Sequence, residues 1–427
     1  MMQYDVVIIG AGPGGLAAAK GAKDVGAEKV IVLERDDRAG GILNQCIHDG
    51  FGLIRYGEQL TGPEYARRAE KEASGAEIML GHQVVNISKD KEVTAISKDG
   101  LKKFQAKAII LSTGCRERTR GAISIPGSRP AGVFTAGVVQ NLVNVKNVMP
   151  GKNVVILGSG DVGMIMARRL TLEGAHVKVV IEILPEPAGL ARNVQQCLYD
   201  FDIPIRCSHT VSKIIGKKKI EAVEISAVDE MMKPIKGTEE IISCDCLILS
   251  VGLIPENEVA ETAGVALDAK TNGAETDEFL QTSVPSIFSC GNSRKIMDLA
   301  DFVSQQGELA GRNAVALING QPMKSWKETA SSSMKKGYPI PGTVTCSLCP
   351  NGCQIKWCED HYEGNKCQRG IAFAEQERTV PKRIFTTTIN DNGKLIPVRS
   401  KVPVALAEIK NAKLRKHLIE KIAYEEI

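Results

Sequence analysis

Short apolar runs rich in β-branched residues recur along the chain, and several of them end at a glycine or an acidic residue. The first run, Asp-Val-Val-Ile-Ile at residues 5–9, leads into a glycine-rich turn and an Ala-rich segment, and a second apolar run occupies residues 30–33. Such runs are typical of strands buried on both faces of a parallel sheet, and the Ala-rich segment has high helix propensity. The pattern therefore predicts a strand, a helix and a second strand at the start of the chain.

The glycine-rich turn carries the first candidate chemistry. It contains Gly10, Gly12, Gly14 and Gly15, and the second strand ends at Glu34. Glycines allow a sharp turn and a close approach of the backbone to a pyrophosphate, and the N-terminus of the following helix favours its negative charge. A carboxylate at the end of the second strand can accept hydrogen bonds from ribose hydroxyls. The combination predicts a dinucleotide-binding unit; a glycine-rich loop in an unrelated α/β domain is the alternative.

The same pattern recurs from residue 153 onward. An apolar run leads into a turn with Gly158, Gly160, Asp161 and Gly163, then a helix, then a strand that ends at Glu182. The first glycine and the acid have the same separation in both copies, which predicts a second dinucleotide-binding unit. Glu182 would bond a free 2′-hydroxyl and repel a 2′-phosphate, so we expect NAD(H) rather than NADP(H). A second domain kept only as a scaffold is the alternative.

Two further apolar runs end in glycine turns. Residues 108–114 end in Thr113 and Gly114, and residues 246–252 end at Gly252. Strands that alternate with helices in this way predict an α/β fold with two Rossmann-like dinucleotide-binding domains.

Composition excludes several classes of protein. The 427 residues leave room for two or three domains, and 43% hydrophobic and 24% charged residues are ordinary values for a globular protein. A net charge of +4 is too small to indicate nucleic acid or a membrane surface as a partner. We find neither an apolar segment long enough to span a bilayer nor the features of a signal peptide, so we expect a cytoplasmic protein.

Cysteines concentrate near the C-terminus. The spacing Cys346-x2-Cys349-Pro-x2-Cys353 is followed by Cys367, with Cys358 between them. Three thiolates at this spacing can converge on one centre, and a distant fourth cysteine can close the site. We therefore predict a metal site of these four cysteines with Cys358 as a spectator. Such a site could bind either an iron-sulfur cluster or a tetrahedral zinc ion, and an unmetallated segment is the weakest alternative.

These motifs together resemble the FAD/NAD(P)-dependent pyridine-nucleotide oxidoreductases, the flavoproteins with two dinucleotide-binding domains, over residues 1–320. The resemblance implies FAD in the first unit and a nicotinamide dinucleotide in the second. Residues 285–292 resemble the last FAD segment of that family, although Asn292 stands where the family usually has Asp. The cofactor residues that the two motifs and the resemblance give are Gly10, Gly12, Gly14, Gly15, Glu34, Gly41, Thr113, Gly114, Gly291 and Asn292 for FAD, and Gly158, Gly160, Asp161, Gly163, Glu182 and Gly252 for NAD.

The segment that begins at Gly41 lies near the flavin ring in that family, which makes Cys46 and His48 candidate catalytic residues. The disulfide reductases of the superfamily carry two cysteines there, whereas this chain has only Cys46. A dithiol reaction at this place is therefore disfavoured.

We predict four regions. The FAD-binding domain comprises residues 1–118 and 253–320, and the NAD-binding domain comprises residues 119–252. A linker at 321–342, rich in Ser, Lys, Pro and Gly, precedes a small Cys-rich α+β domain at 343–427. That domain is expected to contain a hairpin around residues 384–400 and a basic amphipathic helix at about 404–423.

The closing Cys-x-Arg-Gly at Cys367 resembles the N-terminal [4Fe-4S] domain of molybdopterin oxidoreductases, and residues 60–66 and 129–133 resemble a branch found beside glycerol-3-phosphate-type dehydrogenases. The chain is also similar to electron-transferring subunits of amino-acid and opine dehydrogenases. These resemblances imply electron transfer between NAD(H), FAD and a [4Fe-4S] cluster in a hetero-oligomer with a separate dehydrogenase subunit, itself a flavoprotein. A ferredoxin-type carrier is a further candidate partner. The alternative is a stand-alone NADH-dependent flavoprotein reductase with a structural zinc module.

Overall fold

The computed structural model describes residues 2–327, 334–391, 394–411 and 424–426, over which helices and strands alternate. The helices are α1 (Pro13–Asp24), α2 (Gly62–Glu72), α3 (Ala136–Asn144), α4 (Asp161–Leu172), α5 (Ala191–Asn193), α6 (Glu258–Thr262), α7 (Ala300–Ile318), α8 (Gln368–Thr379) and α9 (Leu406–Lys410).

The strands of the first half of the chain are β1 (Met2–Ile9), β2 (Val30–Leu33), β3 (Asp49–Phe51), β4 (Leu60–Thr61), β5 (Glu77–Met79), β6 (Gln83–Ile87), β7 (Glu92–Ser97), β8 (Gly100–Leu111), β9 (Cys115–Glu117), β10 (Val133–Thr135), β11 (Asn153–Leu157), β12 (His176–Ile181) and β13 (Ile205–Arg206). Those of the second half are β14 (His209–Gly216), β15 (Ile220–Ala227), β16 (Glu240–Ser243), β17 (Cys246–Leu249), β18 (Leu253–Pro255), β19 (Ile287–Ser289), β20 (Val344–Thr345), β21 (Gln354–Cys358), β22 (His361–Glu363), β23 (Lys382–Arg383), β24 (Thr386–Asp391), β25 (Lys394–Ser400), β26 (Val404–Ala405) and β27 (Tyr424–Glu426).

The chain divides into two units, each assembled from separate stretches of sequence. Unit 1 comprises Met1–Cys46, Phe51–Arg116 and Leu253–Ala330, and unit 2 comprises Ile47–Gly50, Glu117–Gly252 and Ser331–Ile427. The segment Leu253–Ala330 thus returns to the unit that the N-terminus begins. Residues 47–50 and the C-terminal Cys-rich region both belong to unit 2.

Unit 1 is built on a sheet of order β5-β2-β1-β8-β7-β6, with β19 also paired to β8. Strands β5, β2, β1, β8 and β19 are parallel, whereas β6 and β7 form an antiparallel extension. Val6, Val7 and Ile8 are fully buried. The parallel strands are therefore covered on both faces, as their apolar sequence predicts.

Helices α1 and α7 of unit 1 pack at backbone distance because glycines line their contact. A Cβ at Gly307 would lie 2.0 Å from the carbonyl oxygen of Gly14, and one at Gly311 would lie 2.1 Å from that of Ala18. No side chain fits at such a distance, so glycine is required at both places. This packing anchors α7, the helix that follows Gly291 and Asn292, against the helix of the first glycine-rich turn.

Unit 2 repeats the parallel architecture with a five-stranded sheet of order β10-β17-β11-β12-β13. An antiparallel sheet, β14-β15-β16, follows in the chain. The fold is therefore α/β with two Rossmann-like dinucleotide-binding domains, and this prediction is confirmed.

The C-terminal region of unit 2 contains a small sheet, β20-β21-β22, helix α8, and the antiparallel pair β24 and β25. The predicted hairpin is thus present. Of the predicted basic helix, residues 412–423 lie outside the described residues, and α9 covers only Leu406–Lys410. Part of the predicted linker, residues 328–333, also lies outside them.

Buried polar contacts hold this C-terminal region against the second dinucleotide-binding fold. The Arg383 guanidinium bonds the Asp200 carboxylate at 2.8 Å, and both side chains are almost wholly buried. Arg169 of α4 donates to the hydroxyls of Thr387 and Thr388. A paired, buried arginine is costly to separate from its partner, so these contacts fix the two parts of unit 2 together.

Within the described ranges, none of the helices has the length and apolar character needed to cross a membrane.

Candidate functional site

The first glycine-rich turn combines closely packed glycines with one open position. Gly10 has φ +99°, and a Cβ there would lie 2.5 Å from the carbonyl oxygen of Ser112. A Cβ at Gly15 would lie 1.8 Å from the carbonyl oxygen of Gly10. Because Gly15 has no side chain, α1 can lie this close to the end of the strand. A Cβ at Gly12, in contrast, would meet nothing within 4 Å. Gly10 and Gly15 therefore serve the turn itself, whereas Gly12 keeps backbone open to a ligand.

Glu34 ties the turn to the end of the second strand. Its Oε2 accepts a hydrogen bond from the Ala11 backbone N–H at 2.7 Å, and its Oε1 accepts one from the Asp36 N–H at 2.9 Å. The Gly40 N–H donates to the Ala11 carbonyl oxygen at 2.8 Å, and a Cβ at Gly41 would lie 3.1 Å from the Gly12 Cα. The segment that contains Gly40 and Gly41 thus packs directly beside the glycine-rich turn.

The predicted Thr113–Gly114 turn is fixed within unit 1 by Glu256. The Thr113 hydroxyl donates to the Glu256 carbonyl oxygen at 2.6 Å, and the Glu256 N–H donates to the Gly114 carbonyl oxygen at 3.0 Å. Gly114 has φ +74°, a conformation that glycine adopts without strain.

The returning segment at Gly291 is held by a buried glutamine that the sequence analysis missed. Gln306 of α7 is fully buried; its Oε1 accepts from the Gly291 N–H at 2.8 Å, while its Nε2 has no hydrogen-bond partner among the described residues. The Oδ1 of Asn292 accepts from the Met297 N–H at 2.9 Å, and its Nδ2 lies 3.5 Å from the Cys115 sulfur. The amide at Asn292 therefore has a local acceptor, Cys115, that a carboxylate could not use.

The second glycine-rich turn reproduces the first. Gly158 has φ +98°, and a Cβ at Gly163 would lie 2.8 Å from the carbonyl oxygen of Gly158. The Oε2 of Glu182 accepts from the backbone N–H of Ser159 at 2.8 Å and from its hydroxyl, and Oε1 accepts from the Leu184 N–H at 3.0 Å. Glu182 thus repeats the hydrogen bonds of Glu34.

The second glycine-rich turn also has a segment packed beside it, as the first turn has the Gly40–Gly41 segment. The Gly189 N–H donates to the Ser159 carbonyl oxygen at 3.1 Å, as Gly40 does to Ala11 in unit 1. Asp161, at the start of α4, accepts through Oδ1 from the Leu190 N–H and from the Asn193 amide, each at 2.8 Å. The predicted role of Asp161 at the nucleotide is thus joined by a structural one, since its carboxylate holds residues 189–193 beside the turn.

Gly252 ends the second fold in the same manner as Gly114 ends the first. It has φ +101°, and its carbonyl oxygen accepts from the Arg118 N–H at 3.0 Å.

All four predicted ligand cysteines belong to unit 2. The Cys346 N–H donates to the Cys353 carbonyl oxygen at 2.8 Å. Burial, with a smaller effect of the thiols of Cys349, Cys353 and Cys367, raises the pKa of the Cys346 thiol to about 11. Because an unmetallated thiol with this pKa stays protonated at neutral pH, a metal would have to displace its proton.

Cys367 and Cys358 differ from each other in their surroundings. Cys367 is the N-cap of α8, and hydrogen bonds from the Gly370 and Arg369 backbone, together with the Arg369 side chain, lower its pKa. Cys358 lies on β21, where partial desolvation and the Glu363 carboxylate raise its pKa. Among the described residues, no group of three or more His, Cys, Asp or Glu side chains is arranged to hold a metal ion.

The two candidate catalytic residues fall in different units. Cys46 belongs to unit 1, where its carbonyl oxygen accepts from the Gly62 N–H at 2.9 Å, and His48 belongs to unit 2. Burial of the His48 ring, with a smaller effect of the positive charges of Arg168 and Arg192, lowers its pKa to about 3. His48 is therefore uncharged at neutral pH. A catalytic role for either residue stays a prediction.

A family model described as "Pyridine nucleotide-disulphide oxidoreductase" matches residues 4–307. The chain belongs to this family. It is therefore an oxidoreductase that uses FAD and NAD(P), as predicted. A second model, described only as a protein of unknown function (DUF1667), matches residues 368–422.

Relatives of the pyridine nucleotide-disulphide oxidoreductase part span a range of activities. The chain is 29% identical over 321 residues to a thioredoxin reductase of Listeria innocua, a match that covers 73% of this chain and 92% of the relative. It is 24% identical over 361 residues to an opine oxidase subunit of Agrobacterium tumefaciens, covering 78% of this chain and 69% of the relative. The solved structure of T. acidophilum thioredoxin reductase superposes with a TM-score of 0.61 at 24% identity, covering 75% of this chain and 99% of that one. The structural match supports the fold.

The residues of unit 1 fit the FAD that the family uses. Gly12 leaves open space beside the N-terminus of α1, where an added side chain would project toward the ligand. The unpartnered Nε2 of Gln306 provides a buried donor beside Gly291. Glu34 accepts only two hydrogen bonds from the described part of the chain, so it retains lone pairs for ribose hydroxyls.

Ser159 and Gln306 are the site residues that the sequence analysis did not identify. Ser159 sits between two motif glycines, so its place in the Gly158–Gly160 turn could have singled it out. Gln306 lies in the middle of a small-residue helix, and the Gly291 contact that gives it a role spans 15 residues.

Proposed function

We propose that this oxidoreductase transfers electrons between NAD(H), FAD and a [4Fe-4S] cluster ligated by Cys346, Cys349, Cys353 and Cys367, in a complex with a separate dehydrogenase subunit. The observation that carries the proposal is the spacing of these four cysteines, in the unit that also contains the second dinucleotide motif; the structure does not arrange their side chains as a metal site within the described residues. Flavin accepts a hydride as a pair of electrons and releases them singly, which suits a one-electron carrier.

A preference for NAD(H) over NADP(H) is supported by the chemistry of Glu182. Its carboxylate accepts three hydrogen bonds, from the Ser159 N–H, the Ser159 hydroxyl and the Leu184 N–H. A carboxylate offers about four lone-pair directions, so one remains for a ribose hydroxyl. A 2′-phosphate at the same place would bring two negative charges together. Stopped-flow reduction of the bound flavin should be faster with NADH than with NADPH, and equal rates would contradict this preference.

The choice of four ligand cysteines, without Cys358, is supported by which charged groups affect the pKa of each thiol. Cys349, Cys353 and Cys367 each influence the Cys346 thiol, whereas Cys358 is influenced by Glu363 and Lys356. The pKa of Cys367 is lowered, so this thiol becomes a thiolate, the form that binds a metal, at a lower pH than an ordinary cysteine does.

The test is iron, sulfide and zinc analysis of anaerobically purified protein. Replacement of Cys346, Cys349, Cys353 or Cys367 by Ser should remove iron and sulfide together, and the matched variant Cys358→Ser should retain both. Zinc without sulfide in the unsubstituted protein would refute the cluster and favour the alternative, a stand-alone NADH-dependent reductase with a structural zinc module.

The separate dehydrogenase is supported by similarity to the opine oxidase relative, a protein named as one subunit of an oxidase. We infer a partner flavoprotein that oxidises glycerol 3-phosphate or a similar small metabolite and passes electrons to this chain. The isolated, flavin-loaded chain and the co-purified complex should be mixed with glycerol 3-phosphate and related metabolites. Flavin reduction in the complex alone is expected, and rapid reduction of the isolated chain would refute the separate dehydrogenase.

A thiol–disulfide reductase activity, suggested by the thioredoxin reductase relatives, has less support. None of the twelve cysteines forms a disulfide in the structure. Cys244 and Cys246, which are close in sequence, are buried, and burial raises their pKa values to about 11 and about 12. Thiols of this kind are poor nucleophiles at neutral pH.

A further inference from the structure

Unit 2 contains a buried arginine with an unsatisfied donor. Arg192 of α5 is only 5% exposed, and its Nη1 has no hydrogen-bond partner within the described part of the chain. Its Nε lies 3.4 Å from the Asn193 Oδ1, a long contact to a neutral group. A Cβ at Gly50 would lie 2.3 Å from Nη2, so the backbone of the His48 segment directly abuts the guanidinium.

Arg168 supplies a second positive charge at the same place. It lies on α4, is half-buried, and forms none of the ion pairs found among the described residues. Its neighbour Arg169 differs, because it is paired with Glu173 at 2.8 Å. Arg168 and His48 line the same cavity, and the Arg192 guanidinium packs against Gly50, two residues from His48. Both arginines also lower the pKa of His48, as nearby positive charges do.

Two carboxylates of the same unit, Asp161 and Asp200, are engaged with other donors. Both affect the pKa of the buried Cys197, as do Arg168 and Arg192. Asp161 accepts through Oδ1 from Leu190 and Asn193. Asp200 is paired with Arg383 at 2.8 Å and also accepts from Gln195. Within the described ranges, neither carboxylate forms an ion pair with the two arginines.

A buried guanidinium without a carboxylate partner is costly, because desolvation of the charge is not repaid by an opposite charge. An oxyanion ligand would offset this cost through charge-assisted hydrogen bonds, for which the planar guanidinium is well suited. We propose that Arg168 and Arg192, with His48 beside them, form a binding site for a single oxyanion group, a carboxylate or a phosphate, of a small molecule.

The size of the site limits what enters it. His48, Arg168 and Arg169 line a cavity of about 10 Å³, together with Asn144 and Thr386. This volume is close to that of one water-sized group. The cavity therefore admits one oxygen of the ligand beside His48 and Arg168. The Gly50 backbone packs against the Arg192 Nη2, so the unpartnered Nη1 is the donor that Arg192 offers to a second oxygen.

The test measures binding of two probes, inorganic phosphate and acetate, to the full, FAD-loaded chain. Affinity is determined by calorimetry, and the unfolding temperature is recorded at increasing probe concentration in a chloride buffer. The unsubstituted protein should bind at least one probe and gain thermal stability from it. Arg192→Met and Arg168→Gln should each weaken binding about tenfold or more. Arg206→Gln, which removes an exposed arginine of the same unit paired with Glu240, should leave binding unchanged.

Thermal stability without probe separates ligand binding from a structural role. Removal of an unpaired buried charge should leave the unfolding temperature of Arg192→Met unchanged or raise it. A large fall in that temperature would instead make Arg192 a structural residue and overturn the proposal. The proposal would also be overturned if the unsubstituted protein bound neither probe. It would be overturned as well if Arg192→Met and Arg168→Gln bound the probes as tightly as the unsubstituted protein does.

A competition arm identifies the source of the oxyanion. If the site holds a phosphate of the nucleotide, NADH should displace the bound probe, and Arg192→Met should weaken NADH binding as well. If it holds the anionic group of another metabolite, probe and NADH should bind independently. Either result supports the site and assigns its ligand.

Discussion

Glu182→Gln tests whether the second glycine-rich turn binds the nicotinamide nucleotide. Glu182 uses both carboxylate oxygens, Oε2 for Ser159 and Oε1 for Leu184. A glutamine keeps one acceptor oxygen and places an NH2 group at the other position, where it faces a backbone donor. One of the two buried N–H groups thereby loses its acceptor, while the volume of the side chain is almost unchanged.

The size of the effect follows from the type of hydrogen bond. The bond that bears on NADH is the predicted one from a ribose hydroxyl to the Glu182 carboxylate, which glutamine would replace by a bond to a neutral and displaced amide. A hydrogen bond to a charged group contributes about 1.5–3 kcal/mol, which corresponds to about a 10- to 100-fold change in an equilibrium constant. We therefore expect NADH to bind about 10- to 100-fold more weakly to Glu182→Gln. Flavin reduction should be followed by stopped flow over a range of NADH concentrations, and FAD content should be measured by absorbance.

Glu34→Gln is the matched control, because Glu34 makes the equivalent bonds to Ala11 and Asp36 in unit 1. It should reduce FAD content and leave the NADH affinity of the flavin-loaded fraction nearly unchanged. The assignment of FAD to the first turn and NAD(H) to the second is refuted if Glu182→Gln loses FAD, or if its NADH dependence matches that of the unsubstituted protein.

Three further predictions concern single sites. Gly12→Val should yield a folded but colourless protein, because a Cβ at this position meets no protein atom within 4 Å and the side chain would enter the predicted pyrophosphate position; retention of full flavin absorbance would contradict this. Gly307→Ala should destabilise the protein by about 1–3 kcal/mol in urea unfolding, because its Cβ would lie 2.0 Å from a backbone oxygen of α1, whereas Gly121→Ala, with its nearest contact at 3.7 Å, should cost much less. In metal-free protein, Cys367 should be alkylated at lower pH than Cys358, since its pKa is lowered and that of Cys358 is raised; mass spectrometry of iodoacetamide-treated protein would reveal the opposite order if this reasoning is wrong.

The dinucleotide-binding folds could be predicted from sequence because their determinants are local. Ala11 to Glu34 and Ser159 to Glu182 are hydrogen-bonded pairs separated by 23 residues in each copy. A turn, a helix and a strand of fixed length bring the acid back to the turn, so the spacing alone carries the geometry. The identical spacing then predicts identical hydrogen bonds, and the structure contains them.

The contacts of His48 and of the C-terminal region could not be predicted in this way. His48 lines a cavity with Arg168, more than a hundred residues later in the chain, and Arg383 bonds Asp200 across 183 residues. No periodicity or spacing encodes such pairs, because they depend on how separately folded segments pack. Sequence reasoning therefore placed His48 by resemblance alone and treated the Cys-rich region as a separate domain.

The position of the predicted linker bears on how the Cys-rich region works. The Ala191 N–H donates to the Lys335 carbonyl oxygen at 2.9 Å, and the Gly337 N–H donates to that of Gly189 at 3.2 Å. These bonds form a short antiparallel bridge on the segment that Ser159 and Asp161 hold beside the second glycine-rich turn. A flexible tether would not need such backbone pairing, so the segment that leads into Cys346 is anchored to residues 189–191, beside the second glycine-rich turn.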